Sequence, residues 1–244
     1  MKKGFTLAEV LITLAVIGVV AALTIPVLVQ KYQKKQLFTQ FMKTYNTLST
    51  AMDNAIAEYG EPGDWNWGDS SYDYETGEVT YNYGDKPFQN YILSQMKYVK
   101  VCDKFSDCFA KGYTMLNGES GLGYGDDTEY NLDSFLGEYF GGFSAALADG
   151  AVFGVDGGRY EIQFLFDTNG KKGPNTFGRD LFMATYRTGS YNNETPGFEF
   201  EDYEAESTTN SYGEPEGANC DPDSSNSTGL GCGARLIQEG KMNY

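Results

Sequence analysis

The 244-residue sequence contains no histidine, only four cysteines, and 18 basic residues against 34 acidic ones. Without histidine the chain lacks the commonest general base and the commonest ligand of transition metals. It also contains no P-loop and no nucleophile elbow, and carboxylate pairs of the kind a glycosidase uses are expected by chance in so acidic a chain. We therefore expect a protein that is not an enzyme. With a net charge of −16, we also expect no direct binding of nucleic acid, which requires a basic stripe facing the phosphates.

The charges that are present are unevenly distributed. Residues 1–60 contain six basic and three acidic side chains, whereas the rest of the chain contains twelve basic and thirty-one acidic ones. The excess acidity therefore lies entirely beyond residue 60. This distribution fits a soluble domain exposed to the medium, and one that could bind cations.

The four cysteines form two pairs that are local in sequence, Cys102 with Cys108 and Cys220 with Cys232. An even number at short spacing predicts two disulfides, which need an oxidising compartment. Zinc is the alternative, but the spacings are not those of zinc ligands and no histidine is available.

The longest uninterrupted feature is an apolar segment near the N-terminus. From Phe5 to Val29 the only ionisable side chain is Glu9. As a helix the segment is long enough to cross a hydrocarbon layer of ~30 Å. A lone carboxylate in such a helix costs about 2.5–3.5 kcal/mol at the bilayer centre and less near its edge, so we expect Glu9 to have a function.

This segment resembles the N-terminus of the type IV pilin and type II secretion pseudopilin family. The resemblance is carried by Lys2, Lys3, Gly4, Phe5, Thr6, Leu7, Glu9, Leu11, Ile12, Gly18 and Pro26. It implies that a prepilin peptidase cuts between Gly4 and Phe5 and methylates Phe5, the new N-terminal residue. It also implies that Glu9 pairs with the N-terminal amine of a neighbouring subunit, so that the chain polymerises with its own copies or with other pilins.

Two alternatives remain for the apolar segment. An ordinary signal peptide would be cut after its apolar region, and residues 20–22 form a weak site of that kind. A simple membrane anchor is the second alternative. Neither of them requires Gly4, Phe5 and Glu9 at this spacing.

The charges that flank the segment bear on its orientation. Lys2 and Lys3 precede it, which favours a single-pass helix in the inner membrane with the N-terminus inside and the C-terminus outside. Lys31, Lys34 and Lys35 follow it and weaken that inference, so the orientation depends mainly on the family resemblance and the cysteines. The resemblance further implies a later location in a periplasmic or cell-surface filament.

Beyond Val29 the apolar residues recur at steps of three and four, which indicates an amphipathic continuation of the same helix. These residues are Leu37, Phe38, Phe41, Met42, Tyr45, Leu48, Met52, Ile56 and Tyr59. Gly60 and Pro62 are expected to end the helix. Gly18 and Pro26 are weak points within it. In the family this section can unwind locally on assembly; a mild kink at Pro26 is the alternative.

The clearest strand signals lie in the second half of the chain, at residues 151–155, 160–166 and 181–186. Short links between them predict an antiparallel meander, one face of which packs on the long helix. The fold class is therefore α+β, with a long N-terminal helix on a C-terminal antiparallel sheet, as in pilins. Smaller predictions are a strand at 79–81, a helix from 85–88 onward, a strand at 98–101, a loop at 117–131, a helix over 132–147 and a last strand or contact at 236–237.

The loop at residues 167–180 is rich in side-chain oxygens and glycine. Asp167, Asn169 and Asp180, with Asn175, are hard ligands that suit Ca²⁺. The major pseudopilins carry a calcium site in a comparable loop, although Lys171 and Lys172 depart from any EF-hand pattern. A long turn pinned by Asx hydrogen bonds is the alternative.

Two stretches are expected to be surface loops. Residues 61–86 are aromatic and acidic; they are expected to cover the sheet edge, and binding of a partner or a sugar is the alternative. Residues 188–231 are too polar to bury much apolar surface. The loop between Cys220 and Cys232 resembles the variable surface loop of type IV pilins.

The sequence thus predicts a leader at 1–4, a membrane-spanning or filament-core helix at 5–29, its amphipathic half at 30–60 and a globular pilin-like domain at 61–244. The expected role is a major or minor structural subunit of a type IV pilus or related filament. A pseudopilin of a type II secretion system is the first alternative. A membrane-anchored adhesin or ligand-binding domain that never polymerises is the second.

Overall fold

A computed structural model describes residues 4, 6–67, 69–72, 79–82, 88–123, 142–158, 161–188, 196–203, 208–209, 215–216, 219–225 and 227–244. The predicted processing residue Phe5 lies outside these ranges, as does most of the helix predicted over 132–147.

The first element is a helix, α1, that runs from Leu7 to Tyr59. Thr6 begins it with a capping box, and the N–H of Gly60 ends it by donating to the carbonyl of Ile56. The helix continues without interruption through Gly18 and Pro26. By length and composition α1 qualifies as a membrane span, and the apolar window that qualifies it is wholly uncovered by the rest of the described chain. The long helix was therefore predicted correctly.

A six-stranded antiparallel sheet packs on the second half of α1. Its strands are β3 (Tyr98–Cys102), β6 (Phe143–Leu147), β7 (Val152–Gly157), β8 (Glu161–Asp167), β9 (Leu181–Arg187) and β10 (Gly197–Glu199). They lie in the order β10-β9-β8-β7-β6-β3. The predicted meander is its centre, where Val155 pairs with Phe164 and Phe164 with Ala184. The α+β architecture is confirmed.

Smaller elements surround this sheet. The pairs β1 (Asp69–Tyr72) with β2 (Val79–Asn82), β4 (Gly112–Thr114) with β5 (Ser120–Gly123), and β11 (Thr208–Thr209) with β12 (Pro215–Glu216) are separate antiparallel ribbons. Among the described residues there are also three short helices, α2 (Phe88–Leu93), α3 (Phe105–Cys108) and α4 (Cys232–Glu239), and a 3₁₀ turn at Pro62–Asp64.

The core lies between α1 and the sheet, and it is strongly aromatic. Phe41 from α1 is fully buried, with its ring centre 4.5 Å from that of Phe182 and 6.1 Å from that of Phe166. Leu48, Met52 and Ala55 extend the same buried stripe toward the end of the helix. The periodicity of the sequence therefore identified the face that packs.

Two of the smaller predictions were wrong. The helix predicted over 132–147 is a strand at Phe143–Leu147, because pairing with β3 and β7 outweighs the helix propensity of its Ala and Leu residues. The loop predicted at 117–131 contains β5. At residues 236–237, where a last strand or contact was predicted, the contact is present: Leu236 is buried in the core from helix α4, at helical spacing from Cys232.

Two disulfides join the cysteines as local pairs, Cys102 to Cys108 and Cys220 to Cys232. The first closes over α3 beside the edge strand β3. The second connects the long polar region to α4, where the guanidinium of Arg235 also donates to the carbonyl of Cys220. Tyr244, four residues after the helix ends at Gly240, donates to the carbonyl of Gly178 at 2.7 Å. The C-terminal residue is therefore bonded to the loop between β8 and β9.

The aromatic contact between helix and sheet yields a stability prediction. Phe41→Ala should lower the free energy of unfolding by about 3–5 kcal/mol, since it leaves a cavity among buried rings. Val99→Ala, on the exposed edge strand, should change it by less than about 0.5 kcal/mol. Urea unfolding of the full chain in detergent, followed by tryptophan fluorescence, measures both. Equal effects of the two changes would mean that the helix does not depend on this contact.

Candidate functional site

The N-terminal end of α1 is held by its own side chains. The backbone N–H and the hydroxyl of Thr6 each lie 2.8 Å from Oε2 of Glu9, and the N–H of Glu9 donates to the hydroxyl of Thr6 at 3.3 Å. This reciprocal arrangement satisfies donors that a helix start otherwise leaves open. Gly4 is exposed immediately before it. In this structure the carboxylate of Glu9 therefore caps the start of its own helix.

The helix that follows exposes apolar side chains around its whole circumference. Leu7 is 79% exposed and Leu28 is 68% exposed, and the large side chains between them are all similarly uncovered. An apolar surface of this size is not stable in water and marks contact with a membrane or another protein. Nothing in the described part of the chain folds back over it.

The loop between β8 and β9 brings together the three residues predicted to bind calcium. The side-chain Nδ2 of Asn169 donates to Oδ2 of Asp180 at 3.3 Å, and the backbone N–H of Asn169 donates to Oδ1 of Asp167 at 2.9 Å. Asp180 also accepts the N–H of Asn175 at 2.8 Å and that of Thr176 at 2.7 Å. These are the Asx hydrogen bonds expected of a pinned turn.

Both carboxyl groups of this loop are fully buried. Burial and the nearby charge of Asp180 together raise the pKa of Asp167 to about 8, against three hydrogen bonds that lower it. Burial likewise raises the pKa of Asp180 above its ordinary value. Within the described residues no Lys or Arg forms an ion pair with either group. The pair therefore lies in an environment that disfavours two negative charges.

Three buried oxygens of the same loop have no hydrogen-bond partner. They are Oδ1 of Asn169, Oδ1 of Asn175 and Oγ1 of Thr168. Buried polar atoms are normally satisfied, and exceptions point to an absent water or ion. No group of three or more acidic, His or Cys side chains that could hold a metal exists among the described residues, so any cation here would depend on amide and carbonyl oxygens as well as on the two carboxylates.

The structure also explains how Lys171 and Lys172 are accommodated. Both side chains are exposed, and Nζ of Lys171 donates to the carbonyl of Ser106 at 3.1 Å, away from the carboxylates. Gly170 allows this close turn, since a Cβ at its φ of +69° would lie 2.7 Å from the carbonyl oxygen of Gly150. The lysines that depart from an EF-hand therefore do not fill the oxygen cluster.

Two participants in this site were not predicted from the sequence. Tyr113 donates to Oδ2 of Asp167 at 2.8 Å from 54 residues away, and Thr168 contributes a buried hydroxyl. No local pattern marks Tyr113, because β4 reaches the loop only through tertiary contacts such as the bond from the N–H of Thr114 to the carbonyl of Asn175. Thr168 could have been included, since it lies between two predicted ligands.

Comparison with known proteins bears on the N-terminal site. Residues 1–25 match the prokaryotic N-terminal methylation motif. Two fimbrial proteins of Pseudomonas aeruginosa are each 40% identical to the chain over 57 residues. The N-terminal segment of this chain therefore carries the methylation motif and is similar to the matched part of these fimbrial proteins.

The similarity to these pilins is confined to part of each chain. The matched region covers 23% of this chain and 36% of the length of the fimbrial proteins. Residues 27–120 match a family of unknown function (DUF6613). No solved structure matches the chain. The comparisons therefore bear on the N-terminal segment and leave the globular domain to be interpreted from its own residues.

The buried carboxyl pair yields a pH prediction for the metal-free chain. Because Asp167 has a folded-state pKa of about 8 and an unfolded one of about 4, the folded state binds the extra proton between these values. The free energy of unfolding should therefore fall as the pH rises through this range, by up to about 1.4 kcal/mol per unit. Asp167→Asn, which keeps a hydrogen-bonding side chain, should flatten the slope.

Chemical denaturation at a series of pH values, in the presence of a chelator, measures this slope. The depressed pKa of Asp149, beside Lys43, acts only at lower pH and does not interfere. A slope that is unchanged by Asp167→Asn would show that another group is responsible.

Proposed function

We propose that this chain is a structural subunit of a type IV pilus or a related filament. The observation that carries the proposal is the first half of α1, whose apolar surface the described chain leaves uncovered behind a single carboxylate. A membrane covers that surface before assembly, and the helices of neighbouring subunits cover it in the filament. The methylation motif at residues 1–25 supports this assignment.

The proposed maturation begins at the exposed Gly4. A prepilin peptidase cuts between Gly4 and Phe5 and methylates Phe5, so that the mature chain keeps its apolar helix. Before the cut the chain is anchored in the inner membrane as a single-pass helix with its domain outside. The disulfides fit a domain located in an oxidising compartment.

Assembly then depends on an exchange of partners at Glu9. In the structure its carboxylate accepts two hydrogen bonds from Thr6. In a filament it would bind the N-terminal amine of a neighbouring subunit within a bundle of low dielectric. A buried charge that lacks its partner is destabilising by several kcal/mol, so the pair would enforce the register between subunits. Gly18 and Pro26 would let this part of the helix adjust on assembly.

Two other functions remain as alternatives. A pseudopilin of a type II secretion system would share the same N-terminus and the same fold, and would stay in the periplasm. A membrane-anchored adhesin that never polymerises would need the apolar helix but not Glu9. The division into leader, span, amphipathic half and domain at residues 4, 29 and 60 applies to all three.

A substitution series at the N-terminus tests assembly. Glu9→Ala should abolish incorporation into filaments while membrane insertion is retained, because the amine of the neighbour loses its partner. Thr6→Ala removes the cap but keeps the carboxylate, so it should incorporate substantially better. Asp53→Ala, an exposed acid of the same helix, is the matched control. The measurement is the fraction of chain in sheared filaments relative to the membrane fraction.

The series separates the alternatives by its outcome. If Glu9→Ala assembles as well as the wild type, the pairing proposal is wrong. If Thr6→Ala fails as completely as Glu9→Ala, the helix cap rather than the charge is the requirement.

A specific observation supports a second proposal, a calcium ion in the loop between β8 and β9. Asp167 and Asp180 would supply the charge, and the unpartnered Oδ1 atoms of Asn169 and Asn175 would supply neutral ligands. Hard oxygen ligands in a loop of this kind suit Ca²⁺. The ion would remove the repulsion between the two carboxylates and stabilise the turn.

Thermal unfolding tests this proposal. Saturating Ca²⁺, at about a hundred times its dissociation constant, should stabilise the chain by about 2.7 kcal/mol, which corresponds to a shift of roughly 5–10 °C. Asp167→Asn should lose most of the shift, whereas Asp107→Asn, which changes an exposed side chain of the nearby helix α3, should keep it. No shift between Ca²⁺ and chelator would remove the metal from the account.

A further inference from the structure

A groove of about 1130 Å³ opens where the apolar half of α1 meets the domain. One wall is the face of α1 between Gln30 and Gln40, and the opposite wall is the loop from Thr168 to Pro174. The end of β6 and the C-terminal Tyr244 complete it. The groove therefore lies at the boundary between the part of the chain that needs an apolar environment and the part that needs water.

The charge of this groove is opposite to that of the protein. Five basic side chains line it: Lys34, Lys100, Lys171, Lys172 and Arg179. Its two acidic residues are Asp107 and Asp149, and Asp149 is already paired with Lys43 at 2.8 Å. Across the part of the chain that the structure describes, none of the five forms an ion pair. A chain with a net charge of −16 thus concentrates unneutralised positive charge at one place.

The position of the groove along the helix suggests what it meets. Leu7–Val29 is ~34 Å long as a helix, slightly more than a hydrocarbon core of ~30 Å. Lys34 lies ~8 Å beyond Val29 along the axis, and the headgroup layer is roughly 5–8 Å thick. When α1 spans the membrane, the part of the groove that contains Lys34 is therefore at the level of the lipid phosphates.

We propose that this groove binds the phosphate headgroups of anionic phospholipids in the membrane that holds α1. This inference rests on the membrane anchoring in the proposed function. Lys34 contacts the headgroups from the α1 wall of the groove, and Lys171 and Lys172 contact the same headgroups from the opposite wall. Lipid contact from both walls would fix the orientation of the domain on the membrane surface before assembly, and the groove would be released when the subunit leaves the bilayer.

A second copy of the chain, with its acidic surface, is the competing occupant. The position of the groove relative to the membrane favours lipid as the occupant. Headgroups surround this part of α1 in every anchored chain, whether or not another copy is near. Lysines next to an anionic surface each contribute about fivefold to binding, and salt weakens the attraction. Lipid binding should therefore depend on the charge of the lipid, whereas subunit binding should depend on the number of chains present.

Hydrogen exchange of the full chain in nanodiscs that hold one chain each tests the proposal. With phosphatidylglycerol in the disc, the amides of residues 168–176 should exchange at least about fivefold more slowly than with phosphatidylcholine alone. The difference should disappear in about 0.5 M NaCl. The double variant Lys171→Gln with Lys172→Gln should lose it, while Lys97→Gln with Lys111→Gln, which has the same change in charge outside the groove, should retain it.

Each outcome has a defined meaning. Equal exchange in the two lipids, with the chain inserted, overturns the headgroup site and leaves the anchoring intact. Slowing that occurs only in discs with several chains also overturns it, since the occupant is then a second copy. Failure of the chain to enter either disc contradicts the proposed anchoring itself and the headgroup site with it. The groove variant supports the site only if it loses the slower exchange and melts at the same temperature as the wild type. If it melts at a lower temperature, the faster exchange is attributed to unfolding and counts against the site.

Discussion

The structure depends on one helix whose first half requires an apolar environment and whose second half packs against a domain in water. The first half of α1 exposes apolar side chains in every direction, and the domain does not cover them. The second half buries a single stripe, centred on Phe41, Leu48 and Met52, against the sheet. Because both halves belong to one uninterrupted helix, the domain is held at a fixed distance from whatever covers the apolar half. The proposed membrane anchoring and the proposed assembly both depend on that exposed surface.

The polar features of the molecule are arranged around this constraint. Glu9 is the one ionisable group within the apolar segment, and it is held ready at the helix start by Thr6. The basic groove lies just beyond the other end of the segment, where the headgroups are proposed to lie. The loop that forms one wall of this groove also buries the carboxyl groups of Asp167 and Asp180 beside the sheet.

Much of this could be predicted from the sequence, wherever one period or one motif determined the outcome. The apolar run, the stripe from Leu37 onward and the alternation in β8 gave the helix and the centre of the sheet. Phe143–Leu147 was misassigned because its Ala and Leu residues favour a helix locally, and only pairing with β3 and β7 makes it a strand. Tyr113 and the basic groove were not predictable, because their residues are scattered along the chain and meet only in the fold.

The central proposal is that the apolar helix is retained after processing and is covered by the helices of neighbouring subunits. Mass spectrometry of the mature chain isolated from cells tests this claim most directly. It should show a chain that begins at a methylated Phe5 and contains the whole apolar segment. A chain that begins after residues 20–22, or one that still carries Met1–Gly4 in the assembled filament, would contradict it.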